Sequence, residues 1–116
     1  MLVTLEARAV KVGVYVRLRV RPSGEVPGVA TLSDRLDALF ADLVGQERDN
    51  AALVDSDMNA TVTSDTEADL EVRLTVEAAD AGHATETGLG FLRAAVRAAG
   101  LDATEESVDA KPLVGA

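Results

Sequence analysis

The chain predicts a single α+β domain of 116 residues, an antiparallel four-stranded sheet with two helices on one face. Three observations carry this. Apolar and polar residues alternate with period two in two long stretches and, more loosely, in others. Two further stretches space their apolar residues by three and four. Turn-forming residues mark the changes of period. The resulting order is strand, helix, strand, strand, helix, strand.

The first strand is the run in which Val10, Val12, Val14, Val16, Leu18 and Val20 alternate with Lys11, Gly13, Tyr15, Arg17, Arg19 and Arg21. β-branched residues at strict period two fit a pleated, half-buried surface. Pro22-Ser23-Gly24 ends it. Leu36, Leu39, Phe40, Leu43 and Val44 then form an amphipathic stripe. Thr31 or Ser33 can cap that helix, Asp34 suits its positive end, and Gly45 is the expected stop.

Period two returns with Ala52, Val54, Ser56, Met58, Ala60 and Val62 on one face and Asp55, Asp57, Asn59, Thr61 and Thr63 on the other. Ser64-Asp65-Thr66-Glu67 reads as the hairpin turn. Leu70, Val72, Leu74, Val76 and Ala78 alternate with Asp69, Glu71, Arg73, Thr75 and Glu77 in the clearest strand of the chain. Asp80 can cap a second helix running to about Ala99. Its inner stripe is Ala84, Gly88, Phe91, Leu92, Ala95 and Ala99, and Gly100 ends it. Residues 103–111 hold a weak last strand around Val108.

Two split βαβ units in this order give the ferredoxin-like βαββαβ sandwich, with sheet order 4-1-3-2. The domain covers 1–116. Residues 1–9, with Val3 and Leu5 on the opposite parity, read either as an extra strand or as an extension, and 112–116 read as a flexible tail.

Composition narrows function mostly by exclusion. The net charge is −9, with 11 basic and 20 acidic residues. Such a chain is repelled by phosphate backbones and anionic bilayers, so neither nucleic acid nor membrane is an expected partner. Without cysteine, thiolate chemistry, disulfides and iron–sulfur clusters are excluded. One Tyr, two Phe and no Trp argue against a base-stacking platform or a haem pocket. The start carries no basic segment followed by a long apolar one, and no apolar run is long enough to span a bilayer, so a cytoplasmic location is expected. The lack of Ile and the excess of Arg over Lys fit a GC-rich, actinobacterial coding bias.

Charge is unevenly spread. Residues 1–21 hold a net +4, leaving −13 for the rest. On the open face of the sheet, Tyr15, Arg17, Arg19 and Arg21 are expected opposite Asp69, Glu71 and Glu77. Arg17, Arg19 and Arg21 there are candidates to hold a small anion such as a carboxylate, because a guanidinium offers a bidentate fork. The same face can instead pair internally, or pack on a second copy, with Tyr15, Arg19 and Glu71 at the interface.

Asp55-Ser56-Asp57-Met58-Asn59 opens like a calcium loop, but the sixth position is Ala60 and the twelfth is Thr66. Those positions require Gly and a bidentate Glu, so a strand is expected and no metal. His83 is the sole histidine and sits in the first turn of the second helix, with Glu86 as its expected neighbour. No nucleophile elbow and no phosphate-cradling glycine loop is present, and no cofactor is implied.

Glu25-Val26-Pro27-Gly28-Val29, just before the first helix, resembles the acidic-x-Pro-Gly-aliphatic turn of ACT domains. That resemblance implies the same βαββαβ order and a regulatory role. Pro27, Gly28 and Val29 would form the turn that receives a small ligand, such as an amino acid, at a dimer interface. The leading expectation is nevertheless a non-enzymatic, homodimeric module acting by protein–protein contact. An ACT-like small-molecule sensor is the alternative. A cofactor-free enzyme using the arginine face and His83 comes third.

Overall fold

The structure, a computed structural model, describes residues 9–23 and 31–113. The elements are β1 (Val10–Pro22), α1 (Leu32–Asp49), β2 (Leu53–Ser64), β3 (Glu67–Ala78), α2 (Ala81–Ala98) and β4 (Leu101–Pro112). All pairings are antiparallel. The sheet order is β2-β3-β1-β4; read from the β4 edge, the same sheet runs 4-1-3-2. This α+β architecture is compatible with a ferredoxin-like sandwich. What was expected of residues 1–8 and 114–116 lies outside the described residues.

The core forms where the two helices lie on one face of the sheet. Val12, Val14, Val16, Leu18 and Val20 of β1 meet Val76, Leu74, Val72, Leu70 and Ala68 of β3 rung by rung, and all ten are at most 2% exposed. Leu36, Leu39 and Leu43 of α1 and Ala84, Leu92, Ala95 and Val96 of α2 close over them. Gly88 brings α2 close to the sheet: a Cβ there would touch Val14 and Leu74 at 3.5 Å.

Several boundaries differ from the sequence expectation, each for a local reason. β2 slips register between Leu53 and Asp55, so Leu53 is buried while Val54 is 38% exposed. One extra residue at a bulge reverses the parity of everything before it. α1 runs past Gly45 to Asp49, because Asn50 caps it by bonding back to the Gln46 carbonyl and Gln46 ties the helix to the Phe91 carbonyl. Phe40 is 38% exposed, and Leu32 and Arg35 take places on the buried stripe instead. Phe91 is only half-buried, and Val96 replaces it in the core. β4 includes Lys111 and Pro112, and the Leu113 amide donates to the Lys11 carbonyl at 2.9 Å.

Helices of 18 residues are about 27 Å long, whereas 12-residue strands reach about 40 Å. The sheet therefore outruns its cover. Val62 of β2 and Val108 of β4, both on the helix side, remain 59% and 39% exposed.

One tie joins the layers at the end of the sheet where β1 stops. Gly100, at φ +68°, follows α2 in the left-handed conformation that suits glycine. Its carbonyl accepts from the Ser23 amide and from Nη1 of Arg35. Arg35 is only 5% exposed. A cation at the carboxyl end of a helix is favourably placed, so α1 closes α2 through this side chain.

Candidate functional site

The face of the sheet turned away from the helices has no covering element among the described residues. Strand alternation sends every odd-numbered side chain of β1 and β3 to it, and cross-strand register sets their order. Arg17 lies opposite Glu71, Arg19 opposite Asp69, Lys11 opposite Glu77 and Tyr15 opposite Arg73. On β2, Asp57 sits beside Arg73 and Asn59 beside Glu71. On β4, Asp109 sits beside Tyr15 and Asp102 beside Arg21. The result is a basic column on β1 against a mainly acidic column on β3. Arg73 breaks the acidic column and Tyr15 the basic one, in the same row.

Tyr15, Arg17, Arg19, Arg21 and Glu71 thus stand on one surface, as their parity implies. Arg19 Nε donates to Asp69 Oδ1 at 3.0 Å. Arg73 Nη2 lies 3.6 Å from Asp57 Oδ2, and Lys111 Nζ lies 3.9 Å from Asp109. These partners are all well exposed, so solvent screens each pair and it adds little to stability. Arg17 and Glu71, although directly opposed, form no ion pair within 4.0 Å. Gly13 is buried because the Tyr15 ring lies over it, 3.1 Å from where a Cβ would stand.

Between these side chains is a shallow depression of about 400 Å³, walled by Tyr15, Arg17, Asp57, Asn59, Glu71 and Arg73. Parity in the sequence groups Tyr15, Arg17 and Glu71, and the pairing of β2 with β3 adds Asp57, Asn59 and Arg73 to them. The signal was present in the parity of β2 and β3; what was missing was the register that sets β2 beside Glu71 and Arg73.

The other sequence candidates fall elsewhere. Pro27, Gly28 and Val29 lie outside the described residues. Asp55, Asp57 and Asn59 are exposed along β2. No group of three or more acids or histidines among the described residues is arranged to hold a metal ion. His83 sits in the first turn of α2, on the helix side of the sheet, so it shares no surface with the arginines. Its partner is Asp80 rather than Glu86: Nδ1 lies 3.0 Å from both Asp80 oxygens. That contact raises the imidazole pKa above its ordinary 6.5, and hydrogen bonds from the His83 amide and ring hold the Asp80 carboxyl below its ordinary value.

A second groove of about 270 Å³ runs between α2 and β4 over Leu18, Leu92, Val96 and Leu101. The bidentate Arg93–Glu105 pair, at 2.8 Å for both bonds, closes its rim. No helix among the described residues is long and apolar enough to cross a membrane.

No family model, curated protein or solved structure matches the chain.

Proposed function

We propose that the protein is a cytoplasmic, non-catalytic, ferredoxin-like interaction module, and that the uncovered sheet face is its contact surface. The observation that carries this is the contrast between that face and the rest of the molecule. At about 4.8 Å between strands and about 40 Å along them, four strands offer a face of about 760 Å². That is close to the roughly 800 Å² each partner gives to a standard protein interface. The face holds its two signs of charge in near balance, Lys11, Arg17, Arg19, Arg21, Arg73 and Lys111 against eight carboxylates, whereas the helix side sets twice as many acids as arginines. The sheet edges suit contact less well. β4 shifts register between Arg17 and Leu18, and β2 is irregular near both ends. Bulges and edge charges are the usual means of preventing strand addition.

Arginine-selective modification with phenylglyoxal, followed by peptide mass mapping, tests this. Arg17 and Arg19 should react several-fold more slowly in concentrated cell extract than in dilute pure protein, while Arg48 on α1 reacts equally in both. Equal reactivity of all three under both conditions removes the face as a contact surface.

The 400 Å³ depression favours a second reading, a site for a small carboxylate held by Arg17. A ligand at about 100 times its dissociation constant stabilises by about 2.7 kcal/mol. The melting midpoint should then rise several degrees with the right carboxylate, and the rise should vanish in Arg17→Gln. A flat carboxylate screen removes this reading.

A further inference from the structure

We infer that the partner of the open sheet face is a second copy of the same chain, related by a two-fold axis that runs parallel to the strands between β1 and β3. This inference rests on the interaction-module reading and names its partner.

A closed two-fold interface must be complementary to itself. The face carries one column of cations on β1 and one mainly of anions on β3, side by side. Rotation about an axis parallel to the strands and midway between the two columns leaves each row at its own height and exchanges the columns. Arg17 then meets Glu71 of the second copy, Arg19 meets Asp69 and Lys11 meets Glu77. A two-fold axis across the strands, or one along β1 itself, sets the basic column on its own image. Like charges then face each other.

The two rows that interrupt the columns, Gly13/Thr75 and Tyr15/Arg73, fit the same axis, because rotation sets each row on itself. Tyr15 and Arg73 share a row, so rotation places each Arg73 over the other copy's Tyr15, where a guanidinium is attracted to an aromatic face. Asp57 and Asp109 also come together, and each already has a cation of its own chain nearby, Arg73 at 3.6 Å and Lys111 at 3.9 Å. Stacked sheets rotate by about 30° relative to one another. The rows at mid-strand, where the two sheets cross, are Tyr15/Arg73 and Arg17/Glu71, and they hold the closest contacts. Two such faces bury about 1,500 Å², within the range of specific interfaces. Charges buried this way give pairing specificity and salt sensitivity more than raw affinity.

Sedimentation velocity on charge-separated variants tests the inference. Arg17→Glu/Arg19→Glu makes the Arg17/Glu71 and Arg19/Asp69 rows wholly acidic, and Asp69→Arg/Glu71→Arg makes the same two rows wholly basic. The wild type should sediment as a dimer at micromolar concentration, weakened on the order of tenfold by 0.5 M salt. Each variant alone should be monomeric, and an equimolar mixture should restore a one-to-one heterodimer. Circular dichroism checks folding. Should the reversals prevent it, Arg17→Gln/Arg19→Gln, which adds no repulsion within the sheet, must still weaken the dimer at least tenfold.

A wild type that stays monomeric to about 1 mM overturns the inference. So do variants that remain dimers, or a mixture of monomers that does not pair. If the wild type is monomeric while Arg17 and Arg19 are still protected in extract, only the identity of the partner fails. If that protection is absent as well, the interaction-module reading fails too.

Discussion

Gly90 and Gly100 show how differently one residue type is used in this molecule. Nothing lies within 4 Å of a Cβ built on Gly90, and the position is helical. Gly90→Ala should therefore stabilise by up to about 1 kcal/mol, raising the melting midpoint by about 4 °C in calorimetry. Gly100 has φ +68°, and a Cβ there would stand 2.5 Å from the Arg35 guanidinium. Gly100→Ala should cost about 1–3 kcal/mol in urea unfolding, because it strains the backbone and displaces a buried cation from its acceptor. His83 gives a third test at this scale. Its ring should titrate above 6.5 by NMR because Asp80 favours the protonated form, and Asp80→Ala should bring the value back down. A His83 that titrates at its ordinary value in the intact protein would break the contact.

Both helices start on side chains that accept from their own first turn. Thr31 and Asp34 form a reciprocal capping box, and Asp80 accepts from the His83 amide at 2.8 Å. The Asp34 and Asp80 carboxyls are both held below their ordinary pKa by these hydrogen bonds. A carboxyl with a lowered folded pKa contributes stability above its unfolded value near 4, and that contribution is lost as pH falls through the folded value. His83 acts in the opposite sense: its contribution is full below about 6.5 and is lost as pH rises through its raised value. Urea midpoints should therefore fall below pH 4, and less steeply in Asp80→Ala. An unchanged acid slope in that variant would remove the α2 cap as its source.

What was legible at the level of elements follows from the same local physics. β1 and β3 are flanked on both sides and buried on one face, so every second residue had to be apolar. β4, an edge strand, has eight consecutive exposed residues, Asp102–Asp109, and so carried almost no alternation to read. The parity error in β2 came from a bulge that no residue type marks. On the site, parity alone placed Tyr15, the arginines and Glu71, whereas the β2 wall of the depression needed the pairing register. Arg35 did leave a trace, a charge at a helix position otherwise reserved for apolar side chains.

For the whole molecule, elongation and charge matter together. The radius of gyration is 15.9 Å and the extents are 63 × 24 × 19 Å, against about 13 Å for a compact chain of this length. With a net charge of −9, self-repulsion opposes folding and salt screens it. In a face-disrupted monomer such as Arg17→Gln/Arg19→Gln, the melting midpoint should rise between 0.05 and 0.5 M salt. The same addition should loosen the wild-type dimer. A midpoint insensitive to salt would show that the acidic helix side is already neutralised by its own pairs.

The bond from Leu113 to Lys11 places the beginning of β1 and the finish of β4 at the same corner. Tension applied through the two flanking segments would load the β1–β4 ladder one rung at a time instead of shearing all its bonds at once. A strand on the sheet edge, held by one neighbour and little covered, peels readily under such a load. Under traction the molecule is a zipper, and the Arg93–Glu105 pair is the first cross-layer fastening that the opening zipper meets.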